Sequence, residues 1–173
     1  NYTEALQWLN KAAARNDPQA QSSLGLMYAS GEGVPQNYNR ALEWFSKAVE
    51  QNDSKAQAAL GFMYRDGRGV RQNLSKALEL FNRAVVQNEG DAQIGLAYMY
   101  RVGKGVKQDD KKAFELYSKA AEQNILEAQR TLAYMYFKGE GVAKDLVSAK
   151  AWCSILVQNG DAESKDFEAH ISK

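Results

Sequence analysis

A pair of glycines returns four times along this chain at one fixed interval. Gly31, Gly67, Gly103 and Gly139 stand 36 residues apart, and Gly33, Gly69, Gly105 and Gly141 each follow two residues behind. The same step relates Ala20, Ala56, Ala92 and Ala128; Leu24, Leu60, Leu96 and Leu132; Tyr28, Tyr64, Tyr100 and Tyr136; and Val34, Val70, Val106 and Val142. Ala5, Ala41, Ala77, Ala113 and Ala149 extend part of the pattern to a fifth copy. An uninterrupted period of this length restricts the chain to a repeat architecture, in which one supersecondary unit cannot bury its apolar face without its neighbours.

Within a unit, Ala20, Leu24, Met27 and Tyr28 recur at spacings of three and four, the mark of one apolar helix face. Asp17 followed by Pro18 predicts the N-cap and first turn of that helix. Gly31 predicts its left-handed stop, and Gly33 a second tight bend before Val34 turns inward. Asn37, Asn73, Asp109 and Asp145 then each precede a second periodic run as side-chain caps. Ala41, Trp44, Phe45, Ala48 and Val49 form the stripe of this second helix. It ends near an asparagine tolerant of the left-handed region, Asn16, Asn52, Asn88 or Asn124, with Gly160 in the last copy. The recurring alanines permit helix axes to approach within roughly 8–10 Å, and Trp8, Trp44, Trp152, Phe81 and Tyr117 fill the gaps between turns. The expected fold is all-α, a single solenoid domain of stacked antiparallel helix pairs over residues 1–173. Residues 1–16 are a lone second helix, 17–52, 53–88, 89–124 and 125–160 full repeats, and 161–173 a polar capping helix that keeps its spacing through Phe167 and Ile171. The start lacks Met and any charged-then-apolar leader, and reads as a mature product or an excised fragment.

Composition narrows the function. Among 173 residues, 22 Lys and Arg balance 21 Asp and Glu, so no global field draws in nucleic acid or an anionic membrane, and electrostatic recognition must be local. One cysteine excludes a disulfide within the chain and a thiolate metal cluster. No apolar run reaches membrane-spanning length, and no cofactor or metal is expected.

The pattern Ala20-x-x-x-Leu24-Gly25-x-x-Tyr28-x-x-Gly31-x-Gly33-Val34, with Ala41-x-x-Trp44-Phe45-x-Lys47-Ala48 behind it, resembles the Sel-one-like repeat family of tetratricopeptide-like proteins. The plain tetratricopeptide repeat shares Leu-Gly-x-x-Tyr and the paired alanines, but its period is about 34 and it lacks the glycine-rich loop. Departures are Ala97 and Ala133 for the glycine at Gly25 and Gly61, and Leu80 and Leu116 for the tryptophan. Some family members brace each repeat with a disulfide, and this chain has no cysteine pairs. The resemblance implies a right-handed superhelix with first helices on the concave side. It also implies a bacterial adaptor or scaffold without a catalytic motif, and favours a periplasmic or secreted setting over a cytoplasmic one.

A rotation of 100° per residue places positions 22, 26 and 29 of the first helix opposite Leu24, facing the groove. Position 26 reads Leu26, Phe62, Tyr98 and Tyr134; position 22 reads Ser22, Ala58, Ile94 and Arg130. The expected contacts with a protein or peptide partner are therefore Phe62, Ile94, Tyr98, Tyr134 and Phe137, with Arg65 and Arg101 beside them. The competing reading is intermediate burial between crowded helices. Arg65, Arg68 and Arg71 recur one period later as Arg101, Lys104 and Lys107, a basic edge of the middle repeats suited to an acidic partner or, less readily, RNA, or simply a solvated loop. The loop Gly103-Lys104-Gly105-Val106 lacks the Ser or Thr and the full glycine spacing of a phosphate cradle, and its counterparts carry Glu32, Arg68 and Glu140. The alternative from another class is a groove-based hydrolase or small-ligand-binding protein using a groove carboxylate and Cys153 with His170. Against it, Cys153 occupies the core position of Phe45, Phe81 and Tyr117.

Overall fold

The computed structural model describes residues 2–171, apart from the side chains of Glu163, Glu168 and His170. It contains α1 (Tyr2–Ala14), α2 (Pro18–Ser30), α3 (Tyr38–Glu50), α4 (Ser54–Asp66), α5 (Leu74–Val86), α6 (Gly90–Val102), α7 (Asp110–Glu122), α8 (Leu126–Lys138), α9 (Leu146–Gln158) and α10 (Glu163–Ile171), with no strand among the described residues. The chain divides into two compact units, Asn1–Gly95 and Leu96–Lys173, with the border inside α6. In the first unit α2 packs on α3 and α4 on α5, while α1 with α2 and α3 with α4 join successive pairs. In the second, α8 packs on both α7 and α9, and α10 closes on α9.

The caps explain where helices begin and end. Asp17 and Asp53 accept the backbone N–H of Ala20 and Ala56 at 2.7 Å. Asn37, Asn73, Asp109 and Asp145 cap the second helices as expected. The Lys112 backbone N–H holds the Asp109 carboxyl below its usual range, aided by the Lys112 charge. For Asp145 the Ser148 hydroxyl has that effect, followed by the Ser148 backbone N–H. Ile125 stands at the same position in the fourth repeat and makes no side-chain cap. Gly31, Gly67 and Gly139 end first helices in the left-handed region, and Asn16, Asn52, Asn88 and Asn124 follow second helices at φ of 60–65°.

The second loop glycine does more than bend the chain. A Cβ on Gly33 would overlap Tyr2, one on Gly69 would overlap Tyr38, and one on Gly141 would overlap the Asp110 carbonyl. Each of these three loops therefore rests its backbone on the start of the preceding second helix.

The core is a matched set of large and small residues. A Cβ on Gly25 would lie 2.5 Å from the Phe45 ring, and Phe81 sits against both Gly61 and Gly95, at 2.7 and 2.6 Å from their notional Cβ atoms. Ala41, Ala48, Ala77 and Ala84 are fully buried around these rings. In the last repeat the ring is absent from this position. Buried Cys153 lies with Ala133, and Phe167 from α10 packs there. Close packing requires such compensation, because voids forfeit dispersion contacts.

One recurring feature escapes an apolar periodicity search. Gln21, Gln57, Gln93 and Gln129 are all buried. The Nε2 groups of Gln21, Gln57 and Gln93 donate to Asn16, Asn52 and Asn88 at 2.7–3.0 Å, while Gln129 donates to the Ala121 carbonyl. Gln51 and Gln87, at the ends of α3 and α5, donate in turn to the Oε1 atoms of Gln21 and Gln57 at 2.8 and 3.0 Å. Asn16, Asn52 and Asn88 thus serve twice, adopting positive φ and accepting the glutamine amide. Where Lys165 replaces the glutamine, Gly160 replaces the asparagine.

Candidate functional site

The outward side of the first helices is only partly open. Ser22, Ala58 and Ile94 are buried, which corrects the expectation that position 22 faces a groove. Helical rotation alone places it opposite Leu24, but first helices also pack on one another, as α2 does on α4. Ile94 therefore presents no accessible contact surface.

In the first unit, Phe62 is half-buried, with its ring edge-on to Phe81 at 5.0 Å between centroids. The Arg65 guanidinium covers it at 4.7 Å and is held by Asp66 through Nε at 2.7 Å and Nη2 at 2.8 Å. The pair is a preorganised cation and aromatic surface, its charge already balanced locally. Arg68 lies 3.9 Å from the same carboxylate and is exposed, as is Arg71.

The second unit carries the most accessible aromatic residue of the set. Tyr134 is 39% exposed, with Lys138 Nζ 5.7 Å from its ring centroid. Tyr98 and Arg101 on α6 are half-buried. Phe137 is half-buried, with Lys138 and Lys144 Nζ 5.3 and 5.6 Å from its ring centroid. Its ring meets Phe167 edge-on at 5.4 Å, and both pack against Ala133, Ala149, Cys153 and Ile171. Tyr134 and Phe167 are 6.5 Å apart and tilted. Between α8, α9 and α10 lies a pocket of about 200 Å³ lined by Arg130, Ala133, Tyr134, Leu156, Ser164 and Phe167. Asp161 anchors its rim, accepting Arg130 Nε at 2.8 Å and a second bond from Nη2, and also the Ser164 hydroxyl.

The basic edge of the second unit consists of half-buried Lys104 and exposed Lys107. Lys107 borders a shallow groove with Tyr100, Val106, Gln108, Asp109 and Lys112. Lys112 Nζ sits 5.1 Å over the Tyr100 ring, repeating the placement of Arg40 over Tyr28 and Lys76 over Tyr64. Three repeats thus use this second-helix cation to cover their own tyrosine.

Cys153 is fully buried in the core position assigned from the sequence, and the side chain of His170, its suggested partner, lies outside the described residues. Among the described residues no group of three or more His, Cys, Asp or Glu is arranged to hold a metal ion, and no helix is long and apolar enough to cross a membrane.

The Sel1 repeat family model matches residues 1–17, 18–53, 54–85, 90–125 and 126–161. The chain belongs to the Sel1 repeat family. A Sel1 repeat protein from Oxalobacter formigenes is 34% identical with a TM-score of 0.83, covering 95% of this chain and 67% of its own. A protective antigen of uropathogenic Escherichia coli displaying an SLR fold is 33% identical at a TM-score of 0.81, and this chain spans 34% of its length while 92% of this chain is covered. Helicobacter pylori cysteine rich protein B is 28% identical at 0.56, covering 73% of this chain and 91% of its own. Comparison with curated proteins finds no match. Sel1 repeat proteins generally act as protein-interaction scaffolds. The matched Sel1 repeats end at residue 161, so α10, which supplies Phe167 and Ser164 to the pocket, lies beyond them.

Proposed function

We propose that this Sel1 repeat protein is a non-enzymatic scaffold that holds another protein or a peptide on the open parts of its first-helix faces. The observation that carries this reading is Tyr134, an exposed aromatic residue at the mouth of an apolar-lined pocket whose rim is fixed by the Arg130–Asp161 pair. A tyrosine offers a large rigid contact at low cost in rotamer entropy, and a small pocket beside it can take an apolar anchor from the partner. Tyr98 and Arg101 extend the contact within the second unit, and the Phe62 and Arg65 pair is its counterpart in the first. Buried Ile94 is left out of the contact set, and half-buried Phe137 stays in it beside Tyr134.

The test begins with partner capture from the source organism and continues with calorimetric titration of folded variants. Tyr134→Ala should weaken binding by about 1–3 kcal/mol. Lys47→Ala, an exposed second-helix change whose ammonium covers Trp44 at 4.6 Å, should leave affinity unchanged. Unchanged affinity for both Tyr134→Ala and Tyr98→Ala would move the site to a basic edge, Arg68 and Arg71 in the first unit or Lys104 and Lys107 in the second. A steep loss of affinity with salt would favour RNA instead.

A further inference from the structure

Arg65 and Arg101 occupy the same position of successive first helices, one period apart. The Arg65 side chain is only 17% exposed, and its Nε donates to Asp66, the next residue along the helix. Where Asp66 stands in the first unit, the following repeat carries Val102, 45% exposed. Arg101 Nε is buried and has no hydrogen-bond partner among the described residues. A buried donor without an acceptor carries the desolvation cost of an unmade bond, and a guanidinium keeps its charge whatever surrounds it. One repeat further on, the same two positions read Phe137 and Lys138. They add a ring and a second cation to the second unit rather than an acid.

We infer that a carboxylate of the bound partner completes Arg101, taking the place that Asp66 fills for Arg65. The partner segment is then an acidic peptide that also bears the apolar anchor for the Tyr134 pocket. Guanidinium geometry favours a carboxylate, because its planar fork meets two oxygens at once, as Arg65 does through Nε at 2.7 Å and Nη2 at 2.8 Å. The Arg101 side chain turns on several single bonds, so its Nε can leave the buried position to meet an arriving acid. Val102 offers it no competing acceptor from its side chain. This inference rests on the Tyr134 reading and adds the partner's charge to it.

Peptides selected on the intact protein from a random phage-displayed library are the probe, resynthesised and titrated calorimetrically against Arg101→Gln, Val102→Asp and Tyr134→Ala. Val102→Asp supplies from within the chain the carboxylate that Asp66 gives Arg65, so it should raise the urea midpoint and exclude the peptide acid together. Circular dichroism should show each variant folded. The expected peptides carry Asp or Glu and lose about tenfold in affinity on Arg101→Gln and on Val102→Asp. Changing that acid to Asn or Gln should cost as much on the intact protein and nothing further on Arg101→Gln. Peptides that weaken with Tyr134→Ala but lack an acid, or bind Val102→Asp as tightly as the intact protein, overturn the inference and leave the scaffold reading in place. Recovery of no peptide sensitive to Tyr134→Ala overturns both. Arg101-dependent binding of a uridine oligonucleotide, with no acidic peptide recovered, also overturns the inference, because phosphate would then be the anion.

Discussion

At the scale of single residues, the two loop glycines have different reasons for being glycine, and the difference is measurable. Gly67 has φ of 71° and its notional Cβ meets nothing closer than 3.5 Å, so its constraint is backbone conformation alone. Gly69 has φ of 69° and in addition would drive a Cβ into Tyr38. A β-branched residue at positive φ is strained by about 1–3 kcal/mol, so Gly67→Val should lower the urea midpoint clearly while the exposed change Arg68→Ala leaves it nearly unchanged. With alanine at each position, Gly69→Ala should cost more than Gly67→Ala, because overlap adds to strain. Equal midpoints for Gly67→Val and Arg68→Ala would reject the conformational role, and Gly69→Ala no worse than Gly67→Ala would reject the stacking of loop on helix start.

At the scale of helices, the amide ladder ties the end of one pair to the first helix of its own and the following repeat. Gln57 is fully buried, donates to Asn52 at 2.7 Å and accepts from Gln87 at 3.0 Å. Gln57→Leu should therefore destabilise by about 1–3 kcal/mol despite its apolar side chain, since it removes two hydrogen bonds worth about 0.5–1.5 kcal/mol each. An unchanged denaturation midpoint would mean that water replaces both bonds. The sequence periodicity located helices, caps and left-handed stops, because those depend on neighbours within a few residues. The glutamines recur with the same period, but an apolar template treats them as solvent-facing. Only the packed pairs reveal their burial. Position 22 failed for a related reason. Helix rotation placed Ile94 correctly relative to Leu96, but the covering of that side depends on helices far along the chain.

At the scale of the whole molecule, a repeat protein is stabilised by nearest-neighbour interfaces, so damage at one end should stay near that end. Phe167 tests this, because it lies beyond the matched Sel1 repeats and still completes the second unit. It meets Phe137 and Tyr134, fills the space opposite Cys153, and helps line the pocket. The sequence spacing assigned residues 161–173 to a polar cap but did not disclose that this phenylalanine would pack edge-on against Phe137. Phe167→Ala should cost about 1–3 kcal/mol, less than truncation of a fully buried phenylalanine because the ring is half-buried. Native-state hydrogen exchange is the measurement that separates local from global effects. Amides of α8 and α9 should lose protection, while those of α2 to α5 keep theirs, since their interfaces are made by Phe45, Phe81 and the amide ladder of the first unit. A uniform loss across α2 to α9 would instead mean that the chain opens as one cooperative body, and the nearest-neighbour account would fail for this protein.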